Sequence, residues 1–126
     1  MNVRGRNVKD RFLTYVGFDT QSDIDSGKVP STPKQLKLAG YLADELKELG
    51  VEDAEVDRYG CVYGHIPPSS GCAKPGLALI AHMDTAMDMS GANIKPRIVS
   101  DYDGGDIVLN QEKNICLLYT SPSPRD

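Results

Sequence analysis

Residues 77–82, LALIAH, are apolar at every position except the last. An apolar run of this length without alternation is typical of a strand that is buried on both faces, as in a sheet covered by helices. Helical patterns come before it in the chain, and a buried strand that follows helices indicates layered α/β architecture. The sequence therefore predicts an α/β fold with residues 77–82 as an inner strand.

Two helices are predicted upstream of this run. Apolar residues at helical spacing mark the first helix, from Val8 to about Phe18. The second is predicted over residues 33–49, where leucines and alanines form one apolar stripe. Thr32 is expected to cap its start in a capping box with Gln35, and Gly50 is expected to end it.

Shorter strands are predicted on both sides of the apolar run. The segments AEVDR (54–58) and CVYGHI (61–66) have β-like composition, and Tyr59-Gly60 between them indicates a tight hairpin. His65 falls in the second segment, where a half-exposed pairing residue is expected. A further short strand is predicted at IVL (107–109).

Composition excludes several classes of protein. The formal net charge is −4, and no dense basic run is present, so no nucleic-acid partner is expected. The longest apolar runs are far too short for a membrane helix, and the start of the chain lacks the apolar core of a signal peptide. The three cysteines form no CxxC pair, which fits a reducing compartment. A cytoplasmic protein that does not contact membranes is expected.

His82 and Asp84 are the candidate site residues. They follow the predicted strand, and ligands collect at the carboxyl ends of strands in open α/β sheets. Residues two apart on a strand point to the same side, so the imidazole and the carboxylate can face one crevice. An imidazole is a common zinc ligand, and an adjacent carboxylate orients it. From spacing alone, a structural histidine with an ordinary hydrogen bond remains the alternative, because one His and one Asp do not complete a metal site.

Four short segments occur in an order that resembles a known family. They are D-T-Q-S (19–22), P-S-T (30–32), H-M-D-T (82–85) and Y-D-G-G-D-I (102–107). With the sequence around them, roughly residues 8 to 113, they resemble the N-terminal part of the peptidase T family. Its members are cytoplasmic aminotripeptidases among the dinuclear zinc metallopeptidases. The resemblance implies the N-terminal part of an α/β/α zinc-peptidase catalytic domain, with tripeptide substrates and homodimers in the whole protein.

The resemblance also implies a chemistry and residue roles. Two zinc ions share a bridging water that a glutamate activates as general base, in keeping with general two-metal catalysis. By position, His82 matches the first zinc-ligand histidine, and Asp84 matches the catalytic-site carboxylate that supports it. Asp88 and the Gly104-Gly105-Asp106 turn match family positions for which structural roles are expected. Met87 departs from the family, whose members often carry proline there.

The remaining ligands implied by the family, a bridging aspartate, the glutamate base, a further acidic ligand and a second histidine, are expected after residue 113. The chain as written is therefore expected to be inactive. The apolar faces of the helix at 33–49 and the strand at 77–82 are expected to pack against later segments, so the 126-residue chain is also expected to be poorly soluble or molten. The alternatives that remain open are a related zinc dipeptidase, an aminoacylase-like amidohydrolase, and a non-catalytic α/β binding module.

The last eleven residues, CLLYTSPSPRD (116–126), look unrelated to the preceding chain. They resemble the one-frame translation of a transposase-end and adapter oligonucleotide used to build sequencing libraries. We therefore expect residues 1–115 to belong to the peptidase domain and residues 116–126 to be appended, so that Cys116 has no functional role. A natural Pro/Ser-rich tail is the alternative.

Overall fold

The structure is a computed structural model that describes residues 5–71 and 73–119 of the chain. It contains two α-helices and two small two-stranded sheets, so it is of mixed α/β composition. The chain divides into two compact units, one ending at Pro96 and the other beginning at Arg97. In the part that the structure describes, no helix is long and apolar enough to cross a membrane.

The two predicted helices are present in the first unit. Helix α1 spans Val8–Tyr15, and its N-terminus is capped by Asn7, whose side chain accepts a hydrogen bond from the Asp10 amide at 2.9 Å. Helix α2 spans Gln35–Leu49 and ends as predicted at Gly50, which adopts a left-handed conformation with φ +103°. Glycine suits this position because it has no Cβ to oppose a positive φ.

The predicted capping box of α2 is wrong. The N-cap position is Lys34, which makes no side-chain capping bond. The Thr32 hydroxyl instead donates to the Gln21 carbonyl at 2.8 Å, and the Gln35 amide donates to the Ser31 hydroxyl at 3.1 Å. The Thr32 hydroxyl, which the local pattern predicts to cap α2, therefore bonds to Gln21 and not to the helix.

The core of the first unit lies along α2. Its buried apolar residues are Leu38, Ala39, Ala43 and Ala54, while Leu36 and Leu49 at the ends of the predicted stripe remain exposed. Helix α2 packs against a hairpin of β1 (Glu55–Val56) and β2 (Val62–Tyr63), which pair antiparallel. The core is small, as expected when only two helices and one hairpin surround it.

The hairpin is confirmed, although its strands are shorter than predicted. The Asp57 carboxylate closes the turn by accepting the amides of Tyr59 and Cys61 at 2.8 and 2.9 Å. Gly60 takes the positive φ, +82°. His65 lies beyond β2 and is exposed, with its amide donating to Asp53 at 2.9 Å, so it is no strand-pairing residue.

The inner strand predicted at residues 77–82 is wrong. The segment has no regular structure, and Leu77, Leu79 and Ile80 are 86%, 88% and 95% exposed. A buried strand needs neighbouring strands for its backbone groups and covering layers for its side chains. Within residues 5–71 and 73–119, no strand pairs with it.

The second unit contains one antiparallel hairpin. Strand β3 is Ile107–Asn110, which confirms the strand predicted at 107–109, and strand β4 is Ile115–Leu117. Strand β4 therefore includes Cys116, the first residue of the segment expected to be appended, and Cys116 is a free, exposed thiol. Cys72 and residues 120–126 lie outside the described residues.

Candidate active site

Two segments that are distant in sequence meet at Thr85. Gln21 and Thr85 form an isolated parallel bridge, in which the Thr85 amide donates to the Thr20 carbonyl at 3.2 Å. The Thr85 carbonyl in turn accepts from the Ser22 amide at 2.9 Å and from the Ser22 hydroxyl at 3.0 Å. The segments 19–22 and 82–85 are thereby held side by side through their backbones.

The segment 30–32 joins the same assembly. The Thr32 hydroxyl donates to the Gln21 carbonyl, and the Ser31 hydroxyl accepts the Asp23 amide at 3.1 Å. Three of the four segments that carry the family resemblance are therefore in contact. The fourth segment, residues 102–107, belongs to the second unit.

His82 and Asp84 contact each other directly. The Nδ1 atom of His82 lies 3.0 Å from the Asp84 carbonyl oxygen and 3.2 Å from the Asp84 Oδ1 atom. Two oxygen acceptors at Nδ1 favour the tautomer that carries its proton there, which leaves the Nε2 lone pair available. The two side chains are 86% and 45% exposed. They lie on an irregular segment, whereas the sequence placed them at the end of an inner strand.

The described residues do not form a complete metal centre. Among residues 5–71 and 73–119, no group of three or more His, Cys, Asp and Glu side chains is placed to hold one ion. His82 offers one imidazole nitrogen, and zinc sites in proteins use three or four protein ligands. The arrangement can therefore supply one ligand with its supporting carboxylate.

Asp19 forms an ion pair beside this assembly. Its Oδ1 atom lies 2.8 Å from the Lys34 Nζ atom and also accepts the Gln21 amide at 3.2 Å. The Lys34 ammonium, and secondarily the Gln21 amide, hold the pKa of the Asp19 carboxyl below its usual value. Asp19 therefore links the start of α2 to the segment 19–22.

An open concavity of about 410 Å³ lies next to the contact between these segments. Its walls combine apolar and polar side chains: Ser22, Asp23, Ile24, Ser31, Ala86, Met87 and Asp88. The Met87 sulfur accepts the Ile24 amide at 3.2 Å, so the residue that departs from the family pattern contacts the 3-10 turn Ile24–Ser26. Asp88 contributes one wall of this concavity.

The Y-D-G-G-D-I segment makes local contacts in the second unit. The Asp103 carboxylate accepts the Gly105 amide at 3.0 Å, and Gly104 has φ +88°. The Asp106 carboxylate accepts the Tyr119 amide at 3.0 Å. These contacts are turn-forming and hairpin-closing bonds, which agrees with the structural roles expected for Gly104, Gly105 and Asp106.

Several known proteins named peptidase T are similar to the chain. The chain is 51% identical over 119 residues to peptidase T of Clostridium acetobutylicum, a match that covers 94% of the chain and 28% of that relative. It is 52% identical over 111 residues to peptidase T of Desulfitobacterium hafniense, and 51% identical over 110 residues to peptidase T of Halothermothrix orenii. These two matches cover 88% and 87% of the chain and 27% of each relative. No family model matches the chain.

By its similarity to these relatives, the chain is related to peptidases. The chain belongs to the peptidase T family and is a fragment of a peptidase T protein. It spans little more than a quarter of the length of the curated relatives that it matches.

Proposed function

We propose that the chain is the N-terminal part of the α/β/α catalytic domain of a zinc-dependent aminotripeptidase. The whole enzyme would release the N-terminal residue from tripeptides in the cytoplasm and act as a homodimer. The single observation that carries the proposal is the sequence identity of 51% and 52% to two proteins named peptidase T. The contact between the segments 19–22, 30–32 and 82–85 supports it, because these segments carry the family resemblance and meet at Thr85, next to Asp84.

His82 is proposed as a zinc ligand through Nε2, and Asp84 as the carboxylate that orients its imidazole. The Nδ1 contacts to Asp84 support these roles, because a ligating histidine usually gives its other ring N–H to a carboxylate or carbonyl oxygen. Two zinc ions are expected per full-length subunit, and bound zinc would polarise the scissile carbonyl and activate a water. Asp84 would keep the ring in one orientation and one tautomer for that role.

The chain as written is proposed to be inactive. His82 is one ligand, while a dinuclear centre needs a bridging carboxylate, further acidic and histidine ligands, and a base. In this proposal those residues follow residue 113 in the longer gene product. The segment 116–126 is proposed to be a translated sequencing adapter that replaces this continuation.

The test is an assay of the longer gene product, purified without metal and then supplied with zinc. Hydrolysis of a free tripeptide, with little action on the matching dipeptide or N-acetylated tripeptide, is the expected result. His82→Asn should abolish it. His65→Asn is the matched control, because His65 is exposed and only its backbone amide makes a described bond.

Each alternative gives a different result in the same assay. A preference for dipeptides would indicate a zinc dipeptidase, and cleavage of N-acyl amino acids an aminoacylase-like amidohydrolase. Absence of hydrolysis with zinc present would overturn the peptidase proposal and favour a binding module. Equal activity of the His82 and His65 variants would overturn the role of His82.

A further inference from the structure

Gln21 contacts three stretches of chain near the candidate site: residue 19, residue 32 and residues 85–89. Its amide N–H is accepted by the Asp19 carboxylate, its carbonyl accepts the Thr32 hydroxyl, and it forms the backbone bridge to Thr85. Its side chain also contacts the loop that follows Thr85. The Nε2 atom donates to the carbonyl oxygens of Met87 and Met89, at 3.2 and 3.0 Å.

The side-chain contacts use the full donor capacity of the glutamine amide. A primary amide has two N–H donors, and here its nitrogen lies within hydrogen-bond distance of two backbone carbonyl oxygens that are two residues apart. A carboxylate at this position would set a negative oxygen against two carbonyl oxygens. The site therefore distinguishes glutamine from glutamate, although the two side chains have the same shape.

The backbone of the loop also lies very close to the segment 19–21. A Cβ atom added at Gly91 would lie 2.9 Å from the Asp19 Oδ1 atom and 3.3 Å from the Gln21 Cβ atom. The loop thus approaches Gln21 at Thr85, at Met87 and Met89, and again at Gly91. This loop begins directly after Asp84, whose carbonyl and carboxylate hold the His82 ring.

We propose that Gln21 is a positioning residue that clamps the loop 85–91 and thereby fixes the place of Asp84 and His82. The clamp acts through its two side-chain N–H groups, and it contacts neither a substrate nor a metal itself. Its bearing on catalysis rests on the proposed peptidase function, whereas the clamp is a property of the chain alone.

The clamp is tested in the 126-residue chain by hydrogen–deuterium exchange at low micromolar concentration, read by mass spectrometry on peptides that span residues 82–91. Gln21→Glu should speed exchange in these peptides by about tenfold, because two hydrogen bonds to the loop are lost. Gln21→Met removes the donors without adding charge and should give a similar increase. Peptides from α2 should keep the protection of the unmodified chain.

The matched control is Gln111→Glu, the same chemical change at an exposed glutamine of the second unit. It should leave exchange in residues 82–91 unchanged. Equal exchange in the unmodified chain and in both Gln21 variants would overturn the clamp. Loss of protection throughout α2 in both variants would also overturn it, because Gln21 would then support the whole unit and not the loop.

A kinetic measurement in the longer gene product tests the link to catalysis. Gln21→Glu should lower kcat for a tripeptide by about tenfold with little change in KM, because the reacting groups are misplaced while the substrate is still bound. An unchanged kcat would overturn the positioning role. If the unmodified product hydrolyses no peptide, the proposed function fails, and the exchange experiment still decides the clamp.

Discussion

The Nζ atom of Lys34 lies 2.8 Å from the Oδ1 atom of Asp19, which joins the residue before α2 to the segment 19–22. Both side chains are about one-third exposed, so solvent weakens the attraction between the charges. The pair still holds the pKa of Asp19 below its usual value. A carboxyl group with a lowered pKa in the folded state contributes stability above its unfolded pKa, and this contribution disappears as the pH falls through the folded pKa.

Lys34→Met should therefore raise the pKa of Asp19 toward its usual value and reduce the acid-side dependence of stability. The measurement is a ¹³C NMR titration of the Asp19 carboxyl. Lys37→Met is the control, because Lys37 is exposed and lies on α2 beyond the ion pair. An Asp19 pKa that responds equally to both substitutions would contradict the assignment to Lys34.

A second prediction concerns Glu45, whose side chain is only 2% exposed between the two helices. Its Oε2 atom accepts the Tyr15 hydroxyl and lies 3.2 Å from the Arg11 Nη2 atom. Glu45 raises the pKa of Arg11, and burial, followed by the hydrogen bond to Glu45, raises the pKa of Tyr15. Arg11→Met should destabilise the first unit by about 2 kcal/mol, because it leaves a buried carboxylate without its cation.

The measurement is urea unfolding followed by far-UV circular dichroism. The double variant Arg11→Met/Glu45→Leu should regain part of the loss, because it removes both charged groups together. Lys9→Met, an exposed position on the same helix, is the control. The prediction is contradicted if the double variant is less stable than Arg11→Met. In that case the loss of stability in Arg11→Met would not come from a buried Glu45 carboxylate left without its cation.

The third prediction concerns the turn between β1 and β2. Gly60 has φ +82°, and a Cβ atom there would lie 3.2 Å from the Leu36 Cδ2 atom. Gly60→Ala should destabilise the first unit by about 1–2 kcal/mol, because L-residues avoid this backbone region. Gly76→Ala is the matched control, since Gly76 has no atom within 4 Å of an added Cβ. Equal unfolding midpoints of the two variants in urea would contradict the prediction.

The fourth prediction concerns self-association through the segment 77–82. Leu77, Leu79 and Ile80 are each more than 85% exposed and lie within four consecutive residues, which forms an apolar stretch able to pair with other chains. Ile80→Lys should increase the fraction of the 126-residue chain that remains in solution after centrifugation. Ile66→Lys is the control, because Ile66 is 79% exposed but followed by two prolines. An equal gain from both substitutions would attribute the effect to charge alone.

Local chemistry explains what the sequence predicts correctly. The end of α2 follows from Gly50, the hairpin turn from Gly60, and the strand at 107–109 from its β-branched residues. These features depend on residues close together in the chain. The predicted cap at the start of α2 is wrong because the Thr32 hydroxyl donates to the carbonyl of Gln21, eleven residues away.

The features that the sequence does not predict depend on distant partners. An apolar run such as residues 77–82 indicates a preference for burial, but pairing strands decide whether it becomes a strand. The Gln21 side chain binds Met87 and Met89, which follow it in the chain by 66 and 68 positions. No local sequence pattern predicts contacts at this separation. The sequence predicts no strand at β4, because Cys116 and Leu117 lie in the segment expected to be appended.

The last prediction concerns the proposed boundary near Ile115 between the peptidase segment and the appended segment. The proposed function requires a bridging aspartate, a glutamate base, a further acidic ligand and a second histidine in the continuation of the frame, because His82 alone cannot hold two zinc ions. Long-read sequencing of the source DNA across codon 115, without adapter-based fragmentation, should show a frame that continues past Lys113 and supplies them. Amplification with primers on both sides of codon 115 is the control. Genomic DNA that encodes CLLYTSPSPRD and then a stop would contradict the adapter proposal and leave His82 and Asp84 as ordinary structural residues.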